Sequence, residues 1–300
     1  DAPYSVADGV TSVPINDLPK IASAGVHYCV IGGGKTSMDA CLWLLEQGVG
    51  QSSISWVRPR DSWILNRANI QPGKLSGPSS ESFVRQLALV GESNTSEEAF
   101  EKLAEAGILL RLDDEVKPTM YRCATITESE FKELKGITRV IRKGHVLNID
   151  ASGLEMEKGS EVMPKGTVYI NCTADGLAKR PIRPVFKDGA ITLQTVRFCQ
   201  QVFSAAFIAR VELTSTEEAE KNDLCTVVPH PDTDLDYFRV TLGNLINSAR
   251  WNADPDLAEW LAGARLDGFS EVGRAPVIAA PEEEVMRIVE KFGRFASEGS

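Results

Sequence analysis

The stretch His27–Val49, HYCVIGGGKTSMDACLWLLEQGV, decides the fold. The run just around its start, Val26–Ile31, is short, apolar, β-branched and aromatic, and it predicts a strand. Three glycines follow, then a predicted helix over Thr36–Gln47 that Gly48 ends. That helix is apolar on nearly every side (Met38, Ala40, Cys41, Leu42, Trp43, Leu44, Leu45), so burial on more than one face is expected. Ser53–Val57, SISWV, predicts a second strand.

Two kinds of glycine loop compete for GGGKT. A loop that wraps a nucleoside triphosphate needs G-x-x-x-x-G-K-[ST]. Here Lys35-Thr36 follow Gly34, so the first glycine belongs at position 29, which is Cys29. A dinucleotide turn needs G-x-G-x-x-G/A between a strand and a helix. Gly32-Gly33-Gly34-Lys35-Thr36-Ser37 supplies it, with the small Ser37 in place of the third glycine. Gly32 permits the tight turn, and Gly34 the close approach of backbone to pyrophosphate. Lys35 and Thr36 open the helix beneath it, where unsatisfied N–H groups hold an anion. A glycine-rich turn that binds nothing is the bland alternative.

The end of the second strand bears on which nucleotide. NAD sites carry Asp or Glu about 20 residues beyond the glycines, on the ribose 2′-OH. This chain reads SWVRPRDSW there, with Arg58 and Arg60 flanking Pro59. A guanidinium pairs with a 2′-phosphate, which a carboxylate would repel. The reading therefore favours NADP(H) over NAD(H). Asp61 argues the other way, and two solvated surface arginines are the alternative.

Beyond the opening, Pro59–Ser80 is a long polar, Gly/Pro-rich stretch. Helices are predicted at Glu81–Gly91 and Ser96–Ala106, and a strand at Gly107–Leu112. Ile137–Glu157 reads as short antiparallel strands with turns at Lys143-Gly144 and Ser152-Gly153. Gly166–Gly176, GTVYINCTADG, reads as a strand closing in a small-residue turn. Helices are expected near Phe203–Leu213, Leu235–Asn252, Pro255–Ala264 and Pro281–Ala296.

With 300 residues, 43% apolar and 25% charged, the chain has the composition of a globular protein of two domains. Its net charge of −10 makes nucleic acid and an anionic membrane unexpected partners. No apolar run is long enough to span a bilayer. The cysteines (Cys29, Cys41, Cys123, Cys172, Cys199, Cys225) form no C-x-x-C and are expected to be reduced core residues in a cytoplasmic protein. The histidines His27, His145 and His230 lie far apart, and no metal-ligand spacing is present.

The segments VIGGGKTSMDACLWLLEQGV and SISWVRPRDSWILNR resemble the NADPH-binding domain of two-dinucleotide flavoproteins, the flavin-containing monooxygenase and pyridine nucleotide–disulfide reductase type. PTMYRCATIT, VYINCTADGL, ITLQTVRFCQQVFSAAFIARVE and VVPHPDTDLDYF resemble later segments of a bacterial and fungal group of FAD/NAD(P)-binding oxidoreductases. The resemblance runs from about Pro14 to about Phe238. It implies an NADP domain inserted into an FAD domain, with YINCTADG as the return strand. It places Thr173, Ala174 and Asp175 close to FAD, whereas the residues alone read as a strand-end turn. The chain departs from the family in one respect: no FAD-binding glycine fingerprint precedes Val26. Either the chain, which begins at Asp1, is part of a longer flavoprotein, or it is a reduced form that binds no flavin.

These readings predict an α/β fold: a Rossmann-like parallel sheet flanked by helices with a short antiparallel β segment, plus a partial second, FAD-type domain and a helical C-terminus. The expected organisation is 1–25 as linker or edge of the FAD-type domain, 26–165 as the NAD(P)-binding domain, and 166–300 as return segment and C-terminal helices. The implied activity is hydride transfer from NADPH to FAD, then to oxygen (a monooxygenase) or an organic small-molecule substrate. A non-catalytic NADP(H)-binding module and a P-loop-like nucleotide hydrolase are the alternatives. No catalytic acid–base set stands out. Trp251, Leu257, Trp260 and Leu261 either cover an active site or form a homo-oligomer contact.

Overall fold

The computed structural model describes residues 2–21, 23, 26–71, 76–175, 180–214, 216–266 and 282–298. Gly176 and Pro281, expected in a turn and at a helix start, lie outside the described residues. The chain begins with β1 (Ser5–Val6), β2 (Ser12–Pro14), α1 (Leu18–Ile21), β3 (Tyr28–Ile31), α2 (Lys35–Glu46), β4 (Ile54–Val57) and β5 (Ser62–Asn66). There follow α3 (Ser76–Gly91), α4 (Ser96–Glu105), β6 (Leu109–Leu110), β7 (Met120–Ile126) and α5 (Glu128–Lys135). Next are β8 (Val140–Ile141), β9 (Val146–Asp150), β10 (Gly153–Met156), β11 (Gly159–Val162), β12 (Val168–Asn171), β13 (Phe186–Lys187) and β14 (Ala190–Ile191). The remainder is α6 (Gln201–Glu212), α7 (Glu218–Leu224), α8 (Asp236–Ala253), α9 (Pro255–Gly263) and α10 (Glu282–Ser297).

Two compact units result: Asp1–Ile64 with Arg111–Met120 and Ala124–Ala178, and Leu65–Leu110 with Tyr121–Cys123 and Lys179–Ser300. The first holds a five-stranded sheet in the order β2-β12-β3-β4-β8, every pairing parallel. Strands β3 and β4 are buried along their whole length, as continuous apolar runs in a covered parallel sheet should be. Helix α2 buries Ser37, Met38, Ala40, Cys41, Leu42 and Leu44, which spread over more than one face. The fold is thus α/β and Rossmann-like.

Strands β9 and β10 pair antiparallel as expected, and β11, beyond the expected range, adds a third antiparallel strand to this meander. The turn glycines Gly144 and Gly153 have φ of 81° and 146°, values that side chains resist. Cys29, Ile31 and Val57 of the main sheet share one core with Ile149, Leu154 and Met156 of the meander. Val140–Ile141 corrects the expectation of an antiparallel strand, because it adds to the main sheet parallel to β4. The opening residues do more than link: β1 pairs with β9 and β2 is the sheet edge beside β12.

The second unit is largely helical. Phe203, Phe207, Val211, Trp251, Leu257 and Leu261 gather into one core around α6, α8 and α9. A second aromatic group joins Phe100, Tyr121, Tyr237, Phe238, Phe292 and Phe295, with neighbouring ring centroids between 5.0 and 5.9 Å apart. Asp254 caps α9 by accepting from the Asp256 and Leu257 N–H groups, and Pro255 fits the first turn because no donor is needed there.

The cysteine expectation needs one correction. Cys29, Cys41, Cys172 and Cys225 are free and buried, but Cys123 and Cys199 are joined in a disulfide. They stand 76 positions apart in sequence with Cα atoms 6.8 Å apart, a proximity made by tertiary folding and not by motif spacing.

Candidate nucleotide-binding site

Gly32 ends β3 at the centre of the sheet, and its backbone is fully engaged. Its N–H donates to the Val57 carbonyl at 3.0 Å, and its carbonyl accepts from the Trp56 indole Nε1 at 2.8 Å. A Cβ on Gly32 would meet the Cys172 carbonyl oxygen at 2.5 Å, and φ is +144°. Glycine is required there twice, by space and by conformation. Gly33 fits against the Arg60 carbonyl, which a Cβ would reach at 2.9 Å. Gly34 differs: a Cβ there would meet nothing within 4 Å.

Gly34 is also the N-cap of α2, and no side chain caps that end. The first N–H groups of a helix have no intrahelical acceptor, so this end presents donors and a partial positive charge. Ser37 is fully buried, and its Oγ donates to the Gly34 carbonyl at 2.6 Å. The hydroxyl that a third glycine would lack is thereby satisfied, and it fixes the turn. Lys35 pairs with Asp39 on the first turn, and Thr36 is exposed.

The arginines divide. Arg58 is buried, stacked 4.7 Å from the Trp56 ring centroid and 3.2 Å from Asp61. Its Nε has no hydrogen-bond partner. Burial pulls the Arg58 guanidinium below its ordinary range, and Asp61 acts against that pull. Arg60 is half-buried in the turn beyond β4. The expected open pair is therefore one enclosed arginine and one at the surface turn.

Asp61 is not a free carboxylate either. Arg142 Nε donates to its Oδ2 at 2.7 Å, while Arg142 Nη2 donates to Asp113 Oδ2 at 2.8 Å. Arg142 follows β8 and sits beside Arg58, whose N–H donates to the Ile141 carbonyl at 3.0 Å. Arg58, Asp61, Arg142 and Asp113 thus form a chain of alternating charge at the carboxyl ends of β4 and β8. Sequence reasoning missed Arg142 and Asp113 because nothing local marks them; only the strand pairing brings them to Asp61.

At the end of β12, the Cys172 N–H donates to the Ile31 carbonyl at 2.9 Å, which holds this strand end against the glycine turn. Asn171 Oδ1 accepts from the Thr173 N–H at 3.1 Å and the Thr173 hydroxyl at 2.7 Å. Thr173 is half-buried, and Ala174 and Asp175 are exposed. Burial pushes the Cys172 thiol up to about 12, so it is no nucleophile. Gly32 lies between two neighbours of β3: β4, which follows through α2, and β12, which returns from far along the chain. This is the switch point of strand order, where open α/β sheets bind ligands.

Among the described residues, no helix is long and apolar enough to cross a membrane. No family model matches the chain. Uncharacterized proteins of Mycobacterium tuberculosis and Mycobacterium bovis are 47% identical to it over 272 residues, which is 90% of this chain and 50% of each relative. The chain therefore spans about half the length of the curated relatives it matches. No solved structure matches.

Proposed function

We propose that the first unit binds NADP(H) and serves a flavin-dependent oxidoreductase. One observation carries the reading: a glycine turn at the switch point of a parallel sheet, fixed at Gly32 and open at Gly34 before an uncapped helix. Gly34, Lys35 and Thr36 would face the pyrophosphate with backbone N–H groups. Ser37 holds the turn in shape.

The 2′-phosphate falls to Arg60, with Arg58 beneath it. The Asp61 charge is offset by Arg58 and Arg142, so it neither repels a 2′-phosphate nor remains open to a ribose hydroxyl. NADPH supplies the hydride. FAD enters through the resemblance alone, which puts Thr173, Ala174 and Asp175 near the flavin. No residue of this chain is assigned to the main FAD site. The organic or oxygen acceptor belongs to the activity of the whole protein.

The test is calorimetric titration of the purified natural protein with NADPH and with NADH, alongside a visible spectrum followed on anaerobic addition of NADPH. NADPH should bind more tightly than NADH, and a flavin band should bleach. Absence of binding by either nucleotide would overturn the cofactor reading. Binding without any flavin band, even after FAD is supplied, would overturn the oxidoreductase reading and leave a nucleotide-binding module.

A further inference from the structure

The Cys123–Cys199 pair of the second unit takes no part in the proposed nucleotide site. We propose that it is a reversible two-electron thiol–disulfide site open to small thiols. Three observations point there.

The first is access. The four free cysteines are between 0% and 8% exposed, whereas Cys123 and Cys199 are both half-buried. Thiol exchange needs approach to a sulfur, and of the six cysteines these two are the least enclosed.

The second is backbone conformation. Among the described residues, three non-glycine residues have positive φ: Cys123 at 56°, Asp188 at 53° and Phe198 at 38°. One of the three is Cys123 itself, within β7, and another immediately precedes Cys199. Such conformations cost on the order of 1 kcal/mol or more each and persist where the surroundings impose them.

The third is anchoring that does not depend on the bond. On one side the Val196 N–H donates to Ser204 Oγ at 3.1 Å, the Phe198 N–H to Asn244 Oδ1 at 2.8 Å, and Asn247 Nδ2 to the Val196 carbonyl at 2.8 Å. On the other the Tyr121 N–H donates to the Asp232 carbonyl at 3.3 Å, and Arg122 Nε to Asp232 Oδ1 at 3.1 Å. Opening the bond leaves both sulfurs held near one another, so closure is an intramolecular step with a high effective concentration.

The two sulfurs are not equivalent. Cys199 lies just ahead of α6, whose N-terminus has no side-chain cap. Helix N-termini favour thiolates in general, and this assigns Cys199 as the leaving group. A small thiolate therefore attacks Cys123 Sγ, forms a mixed disulfide there and releases Cys199 as thiolate. A second small thiolate attacks the mixed disulfide and leaves as the oxidised small-molecule disulfide. Cys123 departs as thiolate, and both protein thiolates take protons from solvent. The protein disulfide gains two electrons, and two small thiols lose one each.

The experiment equilibrates the natural protein, without denaturant, in glutathione buffers of varied ratio. Acid quenching, alkylation and mass spectrometry then report each cysteine, and circular dichroism reports the helices. The protein dithiol-to-disulfide ratio should change about tenfold for each tenfold change in the squared reduced glutathione concentration over the oxidised one. Helical signal should persist throughout, and the four buried cysteines should keep one state. Cys199→Ser should trap glutathione on Cys123. Reduction only in denaturant would make the bond a structural staple and overturn the proposal. Six free thiols in oxidised glutathione would overturn it as well.

Discussion

Replacing Gly32 by Ala tests the glycine turn where the structure is least forgiving. The new Cβ would stand 2.5 Å from the Cys172 carbonyl oxygen, 3.0 Å from its carbon and 3.2 Å from its Cβ. All three belong to residue 172, whose N–H is bonded to Ile31, so relief requires parting β12 from β3. Holding a non-glycine residue at φ +144° costs about 1–3 kcal/mol. Overpacking against backbone adds about 1–3 kcal/mol. The sum, about 2–6 kcal/mol, corresponds to a fall of roughly 4–24 °C in Tm at about 2–4 °C per kcal/mol for a unit of this size. Gly34→Ala is the control from the same loop: φ is −94° and a Cβ meets nothing. Its loss of a better cap is opposed by reduced freedom of the unfolded chain, so stability should stay within about 1 kcal/mol. Thermal unfolding by circular dichroism separates the two. Equal Tm values for wild type and Gly32→Ala would refute the argument, since they would mean that β12 does not press on the turn.

Other changes read out different parts. Gly34→Ala should weaken NADPH binding by on the order of tenfold or more, about 1.4 kcal/mol, because the methyl would occupy the open space that the proposed site gives to the pyrophosphate; calorimetry checks this. Arg60→Ala should cost NADPH about 1.5–3 kcal/mol and leave NADH nearly unchanged, and equal losses would remove the 2′-phosphate from Arg60. Arg58→Ala should destabilise by about 3 kcal/mol in urea unfolding, at the low end for a broken buried pair because Asp61 keeps Arg142 at 2.7 Å. Acid should unfold the protein through Asp113 and Asp236. Burial opposes their charge, but the Glu115 N–H and Arg142 at Asp113, and the Asp232 and Thr233 N–H groups with Arg239 at Asp236, outweigh it and hold both below 3.8. A depressed carboxyl contributes stability above its unfolded value, and that contribution is lost as pH falls through the folded one. The loss should therefore begin below about pH 4, and Asp236→Asn should flatten that limb of a Tm-against-pH curve.

The parallel core was legible because its signals are local. A strand, a glycine turn and an all-round apolar helix can be read within Val26–Gln47, and burial on both faces leaves a continuous apolar run in β3 and β4. Helix α5 was equally local, with Thr127 and Glu130 forming a capping box, yet its charged sequence ESEFKELK buries only Leu134 and offers no apolar stripe. Strands β1 and β2 and the parallel pairing of β8 were not legible. Each of the three strands has only two or three residues, and each exists because a distant strand completes its hydrogen bonds. The disulfide is unreadable for the same reason.

The candidate site divides along that line, which explains why the arginine reading changed while the glycine reading did not. The glycine requirement at position 32 is written in the backbone, so the sequence alone places it there. The state of a charge depends on what folding brings against it. Asp61 looked like an NAD-type carboxylate, and Arg58 like an open phosphate ligand. Strand β8 then delivers Arg142 to Asp61, and Asp61 holds Arg58 against Trp56. An uncompensated buried carboxylate at this strand end would select against a phosphate, whereas one shared between two guanidiniums carries no net negative field there. On the proposed reading, discrimination then rests on Arg60. Arg142→Leu is the sharpest probe of that logic. It leaves Arg60 in place but leaves Asp61 with Arg58 alone, so NADPH affinity should fall relative to NADH through a residue that touches neither nucleotide. An unchanged ratio of the two affinities would show that Asp61 plays no part in the choice.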